Sequence, residues 1–371
     1  MKEHNVLYIV LLCCAALWAV GCSRTPDEGT VLPEPAMANL DISVAFFGRV
    51  VDYTPTPAPD GENGDEYMKC LRIIIVHPDG TVEHNRLIDF EDVLYVEKVG
   101  DVKFQVVAGE EKKIYLFANE GLTTIKNIEL GNTEKTLETY NFNSIEKGKP
   151  FPANTLKDYK FTLGGVTEEL TGPLPMSECH SVWIPKQENY ACDLFITRAA
   201  VKFSFVFDNR SGKEMMLTGL EINKLLRTEY YLPRNTVYRG PDSDGMQEIT
   251  SFNVPSFEDT NNGYYSFSRK FGENGVTLSR DKQTALPPIY LLEGKYTDAA
   301  GGTGGNGPLN YSMRIQVNGV WLEQAYFPNL SQLPRNTHVK ITVTIGVSDI
   351  QWTVEVVPYT EVVLDPVFGL D

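Results

Sequence analysis

Clustered positive charge is what this chain lacks first. Of 371 residues, 33 are Lys or Arg against 49 Asp or Glu, a formal net charge of −16, and the basic residues never form a run. A protein that grips duplex nucleic acid displaces counterions from phosphates with grouped Lys and Arg, so nucleic acid is not an expected partner. Histidine is scarce, at five residues. His77, His84, His180 and His338 stand apart from any Gly-x-Ser-x-Gly elbow or His-Glu-x-x-His pair, and no phosphate-cradling glycine loop follows a strand and opens a helix. Asp242, Asp244 and Glu248 around Gly245 make only part of a calcium loop. The chain is therefore read as non-enzymatic, with no metal and no cofactor. Sustained helical periodicity is missing too. What remains is enough to fold: 42% hydrophobic and 11% aromatic residues exclude a disordered chain, and the length exceeds one ordinary core and suits two domains.

The N-terminus carries Lys2, an apolar run of residues 6–20, and the small residues Ala19 and Gly21 before Cys22. The run is too short to cross a bilayer as a stable helix, which takes about 20 residues, and reads as an export signal. Ala19-Val20-Gly21-Cys22 resembles the lipobox of bacterial lipoproteins, although Ala19 stands where Leu is usual. That resemblance makes Cys22 the lipidation site. Residues 23–38, with Pro33, Pro35, Asp27, Glu28 and Glu34, have little to bury and suit a tether. Three of the six cysteines then remain: Cys70, Cys179 and Cys192. Cys179 and Cys192 pair in an oxidising compartment while Cys70 stays buried as a small hydrophobe, or all three are unpaired thiols.

Beyond the tether the period is that of strands. Leu40-Asp41-Ile42-Ser43-Val44-Ala45-Phe46 alternates as a half-buried strand does. Residues 52–66, with Pro55, Pro57 and Pro59 followed by Asp60-Gly61 and Asn63-Gly64, form a surface loop. Cys70 to Val76 is too apolar for a one-sided sheet and belongs in the middle of a sandwich. His77-Pro78-Asp79-Gly80 turns the chain into a partner strand at 81–87. Residues 102–108 and 112–118 read as the next pair, and Thr133 to Tyr140 as a short helix. A second set begins with 193–197 and 199–207, where Phe203, Phe205 and Phe207 share one face. It continues through 217–223 and 227–232, then after polar segments at 240–262 and 301–307 through 311–317, an Asn318-Gly319 hairpin turn, 320–326, 338–347 and 352–357. Short strands at this spacing argue an all-β fold of two sandwiches in series. The division is 1–21 signal peptide, 22–38 tether, 39–190 N-terminal sandwich and 191–371 C-terminal sandwich.

Four stretches, in this order behind the lipobox, resemble the fimbrillins, the subunits of type V pili in Bacteroidales. They are Leu71-Arg72-Ile73-Ile74-Ile75-Val76-His77-Pro78-Asp79-Gly80, Ile114-Tyr115-Leu116-Phe117-Ala118-Asn119-Glu120-Gly121, Thr197-Arg198-Ala199-Ala200-Val201-Lys202-Phe203 and Leu333-Pro334-Arg335-Asn336-Thr337-His338. The resemblance runs from about residue 40 to the end. It implies two transthyretin-like β-sandwich domains in tandem, lipid anchoring at the cell outer membrane, and assembly with other fimbrial subunits into an adhesive surface fibre.

In related stalk subunits an arginine-specific protease removes the lipidated segment with its first strand, and a neighbour's strand fills the groove. On that pattern residues 40–47 are the removed strand and Arg49 the cleavage site; the plainer reading makes Arg49 a strand-end residue. At the other end Trp352, Val354, Val356, Tyr359, Val362 and Leu364 mark two strand-like runs hinged at Pro358, which either form a donor strand or complete the second domain. Anchor and tip subunits that keep their lipid belong to the same family. A surface glycan-binding lipoprotein is the alternative, since 18 Tyr, 18 Phe and 4 Trp would supply flat rings for sugars.

Overall fold

The structure, a computed structural model, describes residues 36–46, 64–90, 96–127, 133–234, 237–239, 248–251, 264–272, 274–295, 311–327 and 332–358. In the first half the strands are β1 (Met37–Phe46), β2 (Cys70–Val76), β3 (Val82–Asp89), β4 (Lys98–Val107), β5 (Glu110–Ala118), β6 (Thr124–Asn127), β7 (Thr133–Thr136), β8 (Lys160–Thr162), β9 (Glu168–Thr171), β10 (Met176–Ile184) and β11 (Asn189–Arg198). A continuous path of seven strands runs β3-β2-β5-β10-β11-β1-β4. It folds over on β11, whose first eight residues pair with β1 while Thr197 and Arg198 pair with β10. The β4-β1-β11 layer thereby faces the β3-β2-β5-β10 layer. Between them pack Leu40, Ile42 and Val44 with Ile73, Ile75 and Leu116, all fully buried.

β2 is buried at every position, as its apolar run predicts, because both faces are used. Ile73 and Ile75 enter the first core, while Ile74 and Val76 turn to a second cluster with Phe142, Phe151 and Leu156 from the long connection after β7. That connection holds a short helix, α1 (Ala153–Asp158). The helix expected over Thr133 to Tyr140 is not there: Thr133–Thr136 is β7, paired antiparallel with β6, and β-branched threonines at both ends favour the extended chain. Residues 102–108 and 112–118 form strands but not a pair. β4 lies against β1 and β5 against β2 and β10, so the chain crosses between layers at Gly109, where φ is +81°.

The second half comprises β12 (Val201–Asn209), β13 (Met215–Leu226), β14 (Thr228–Tyr230), β15 (Val237–Arg239), β16 (Glu248–Ser251), β17 (Tyr264–Lys270), β18 (Val276–Leu278), β19 (Gln283–Leu291), β20 (Gly294–Lys295), β21 (Ser312–Val317), β22 (Val320–Trp321), β23 (Ala325–Tyr326), β24 (Gln332–Leu333), β25 (Thr337–Ile345) and β26 (Ile350–Pro358). One layer runs β26-β25-β12-β19-β9-β6-β7, and the other contains β17-β13-β21-β22. Phe203, Phe205 and Phe207 are each fully buried between the layers with Leu220, Ile222 and Ile315, as period two requires. Asn318 and Gly319 both take positive φ, 50° and 80°, the backbone of a tight hairpin turn.

The strand read at 193–197 extends back to Asn189 and belongs to the first sandwich. Conversely β9, β6 and β7 extend the sheet of the second half, joined to it where Leu170 meets Tyr290. The division expected between residues 190 and 191 therefore falls inside β11, after its second residue.

Candidate functional site

β1 brings five side chains inward at every second position: Ala38, Leu40, Ile42, Val44 and Phe46, none more than 2% exposed. Asn39, Asp41, Ser43 and Ala45 face outward between them. The strand is central, held on one side by β11, parallel, with Asn39 opposite Asn189 and Phe46 opposite Ile196. On the other side lies β4, antiparallel, with Met37 opposite Val107 and Ile42 opposite Val102. Two backbone bonds fix which way the amides point. Asn39 N–H donates to Glu188 O at 2.7 Å and Phe46 N–H to Glu97 O at 3.2 Å, so odd-numbered amides face β11 and even-numbered amides face β4.

The β4 ladder has one fault. The register slips between Ile42 and Val44, whose partners are Val102 and Val99. The extra residue is a β-bulge at Gly100 and Asp101, and Asp101 takes a φ of 59°. At the end of β1, the Phe46 ring centroid lies 4.0 Å from the Arg198 guanidinium and 6.3 Å from the Tyr67 ring. Arg198, itself 2% exposed, donates from Nε to Glu66 O at 2.9 Å and from Nη1 to Asn336 Oδ1 at 3.3 Å. On the outer face Asp41 keeps one carboxylate oxygen buried with no hydrogen-bond partner. It lies in a depression of about 560 Å³ lined by Asn39, Lys103, Gln105, Asn189 and Tyr190 among others.

The burial of Leu40, Ile42, Val44 and Phe46 contributes about 1.5–3 kcal/mol each, roughly 6–12 kcal/mol in sum, against a net stability of about 5–15 kcal/mol for a whole domain. Losing β1 without replacement would take most of the first sandwich's stability. The free edge of β4 is managed by side chains from β3: Val107 N–H donates to Glu83 Oε1 at 2.6 Å, and His84 Nε2 bonds Gln105 O at 2.8 Å. Glu83 also meets the fully buried Lys112 ammonium at 2.6 Å.

At the other end of the chain β26 is an edge strand, antiparallel to β25 over nine residues from Ile345–Ile350 to Thr337–Pro358. Trp352 and Val354 pack partly buried against the second core, whereas Val356 is 44% exposed. Tyr359, Val362 and Leu364 lie outside the described residues, as do Cys22, Arg49, Asp242 and Asp244. Glu248 starts β16.

The four stretches quoted above meet in pairs. Arg72 in the first grips Glu120 in the second through two bonds of 2.7 and 2.6 Å. Asn119, at a φ of 60°, ties Lys69 N–H, Tyr67 O and Leu174 O together. The third and fourth run side by side as parallel β12 and β25, Val201 opposite Thr337, and Asn336 N–H donates to Ala200 O at 2.9 Å. Arg335, 1% exposed, sits between Glu229 at 2.7 Å and Glu293 at 3.0 Å, and reaches Ser177 of the first sandwich at 3.3 Å. Burial, aided by the nearby Glu293 charge and opposed by Arg335, pushes the Glu229 carboxyl well above the usual range. Lys202 pairs with Glu66 at 2.7 Å, and Tyr290 donates to the same carboxylate.

The four histidines each have a local partner: His77 the Glu110 carboxylate, His84 the Gln105 carbonyl, His180 the Phe195 carbonyl and His338 the Ser204 hydroxyl. Among the described residues no three His, Cys, Asp or Glu converge on a metal position. Cys70, Cys179 and Cys192 are free thiols. Cys179 packs toward the second cluster and Cys192 toward the first, and burial pushes each of these two thiols up to about 12. Trp183, 60% exposed, and Tyr326, 45% exposed, lie on different sheets, and the described aromatics otherwise go largely to the cores. The sequence reading missed Arg198 and Tyr67 as the end of the groove; the Thr197-Arg198-Ala199-Ala200 stretch carried the only signal.

No family model and no curated protein matches the chain. Among solved structures it is similar to a candidate cell-adhesion protein from Parabacteroides distasonis, with a TM-score of 0.51 and 11% identity over 88% of this chain and 98% of that one. It is equally similar to the C-terminally truncated tip fimbrial protein Mfa3 from Porphyromonas gingivalis, at a TM-score of 0.51 and 11% identity over 87% and 99% of the two chains. At that identity the likeness is one of fold, and it extends over nearly the whole of both chains.

Proposed function

We propose that this chain is a subunit of a cell-surface fibre of the fimbrillin type, exported as a lipoprotein on Cys22 and polymerised when its first strand is exchanged for one from a neighbour. β1 carries the reading. It is the first strand described, it fills the middle of a sheet, and it is continuous on its C-terminal side with the segment that holds Arg49. Cleavage there by an arginine-specific protease would separate β1 and its lipid anchor from every other described strand.

The groove left behind has backbone donors and acceptors on both walls and an apolar floor, the arrangement that captures an extended strand by main-chain bonds and alternate sockets. The C-terminal run from Trp352 through Leu364 supplies the donor, and the part beyond Pro358 lies outside β26. The solved structures of similar fold, one of them a tip fimbrial protein, support the surface-fibre reading. A lipid-retaining anchor or tip subunit is the alternative: an anchor keeps Cys22, and a tip need not exchange strands at both ends.

The test is immunogold electron microscopy of material sheared from cells. Filaments labelled along their length by an antibody to this chain support the proposal. Label at filament ends assigns the tip or the anchor, and label confined to the envelope with no filaments contradicts assembly.

A further inference from the structure

Resting on the strand-exchange reading above, we infer that the end of the β1 groove is a selective aromatic socket built by Arg198 and Tyr67, and that Phe368 of a second copy fills it. Four features of the groove and the tail bear on the register. The inward row of β1 is Ala38, Leu40, Ile42, Val44 and Phe46. Read in the same direction, the C-terminal tail offers Thr360, Val362, Leu364, Pro366 and Phe368 at the same period of two. A small residue meets the Ala38 place, branched aliphatics meet Leu40 and Ile42, and an aromatic meets the Phe46 place.

The second feature is the proline. Within a ladder proline is tolerated where no amide is needed, at edges and bulges. In this register Pro366 takes the place of Val44, whose amide, being even-numbered, faces β4. Val44 still has a rung, opposite Val99, so Pro366 gives up one ladder bond beside the bulge at Gly100 and Asp101. Sliding the tail by two, to set Leu370 at the Phe46 place, would put Pro366 opposite Val102 on the other side of the same slip and would lose the aromatic at the Phe46 place.

The socket is the third. Arg198 is nearly inaccessible, fixed by the Glu66 carbonyl and Asn336, with its guanidinium 4.0 Å from the Phe46 ring centroid. A desolvated guanidinium against an aromatic face is worth more than the apolar area alone, so a strand ending in an aliphatic residue leaves the socket underfilled and the cation without its ring.

The outward row is the fourth. Asp41, with its unpartnered buried oxygen, is replaced by Val363, which removes an unsatisfied acceptor. Ser43, opposite Asp193, is replaced by Asp365, and that like-charge pair opposes the exchange on the exposed face. The inward row decides the outcome because it is desolvated.

The experiment uses the full chain carrying a site-specific protease sequence in the 50–60 segment. After cutting, a synthetic peptide of residues 360–370 is added and release of the β1 fragment is followed by native mass spectrometry. The unaltered peptide should displace β1. A Phe368→Leu peptide should bind roughly tenfold more weakly, and Phe368→Ala at least a hundredfold more weakly. Pro366→Val should stay within a few-fold.

A photo-reactive phenylalanine at 368 should crosslink to Tyr67 or Arg198. A crosslink there from position 370 instead would overturn the register. If the peptide displaces β1 equally well with Phe, Leu or Ala at 368, the socket is wrong while strand exchange stands. If β1 is displaced only by a peptide of residues 350–358, the Phe368 assignment is also wrong. If no C-terminal peptide displaces β1, the donor reading itself falls.

Discussion

β1 and β26 are both apolar strands near opposite ends of the chain, and they are held in opposite ways. β1 has a neighbour on each side and five side chains at most 2% exposed. Among the described residues β26 has one neighbour, and its Val356 is 44% exposed. A strand in the middle of a sheet leaves a groove when it departs; a strand at an edge leaves only a shorter sheet. Under the proposed strand exchange the two ends would have different jobs, one to create a vacancy and the other to lead a tail toward a vacancy elsewhere.

Four changes sharpen or break that contrast, here from largest to smallest effect. Ile42→Asp puts an unpaired carboxylate on the floor of the groove and should cost more than about 4 kcal/mol, enough to prevent folding of the first sandwich, whereas Val356→Asp should stay within about 0.5 kcal/mol. Urea unfolding of both variants measures the difference. Arg335→Met strips Glu229 and Glu293 of a buried cation and should cost about 3–5 kcal/mol. That loss should appear in thermal unfolding of the whole chain, since Arg335 reaches Ser177 as well.

The third change concerns pH. The folded state holds the Glu229 proton more tightly than the unfolded chain does. Its contribution is therefore fully present below the unfolded value of about 4.3 and is lost as pH rises toward the higher folded value. Stability measured from pH 4 to 8 should fall less steeply in Glu229→Gln than in the unaltered chain. The smallest effect is expected at the cysteines. Reductant, or Cys179→Ala with Cys192→Ala, should move the melting temperature by no more than the packing change of two small side chains, because the thiols point to different cores.

Period two was enough to place β1, β12 and the paired strands at the C-terminal end, since each half-buried strand writes its own alternation, and an unbroken apolar run placed β2. Partnerships were less legible. β4 and β5 are adjacent in sequence and read as a hairpin, but the crossing at Gly109 sends them to different layers, and nothing local in residues 102–118 encodes that. Thr133 to Tyr140 reads as a short helix, and only β6 lying beside Thr133–Thr136 makes that segment a strand. The division near 190 was placed by spacing alone, and spacing does not reveal that β11 closes the first sandwich while β9, β6 and β7 extend the second.

The quoted motifs turned out to hold the scaffold together, Arg72 with Glu120 and Arg335 with its two acids, more than to mark a site. The end of the groove was hidden because Arg198 and Tyr67 lie 131 positions apart in sequence. Each looks ordinary there, and only folding brings both to Phe46.

The most direct measurement is the N-terminal residue of this chain in material recovered from the cell surface, read by mass spectrometry. The account predicts Val50, with β1 and Cys22 absent from assembled protein. Assembled protein that still begins at lipid-modified Cys22 and retains residues 37–46 would contradict it.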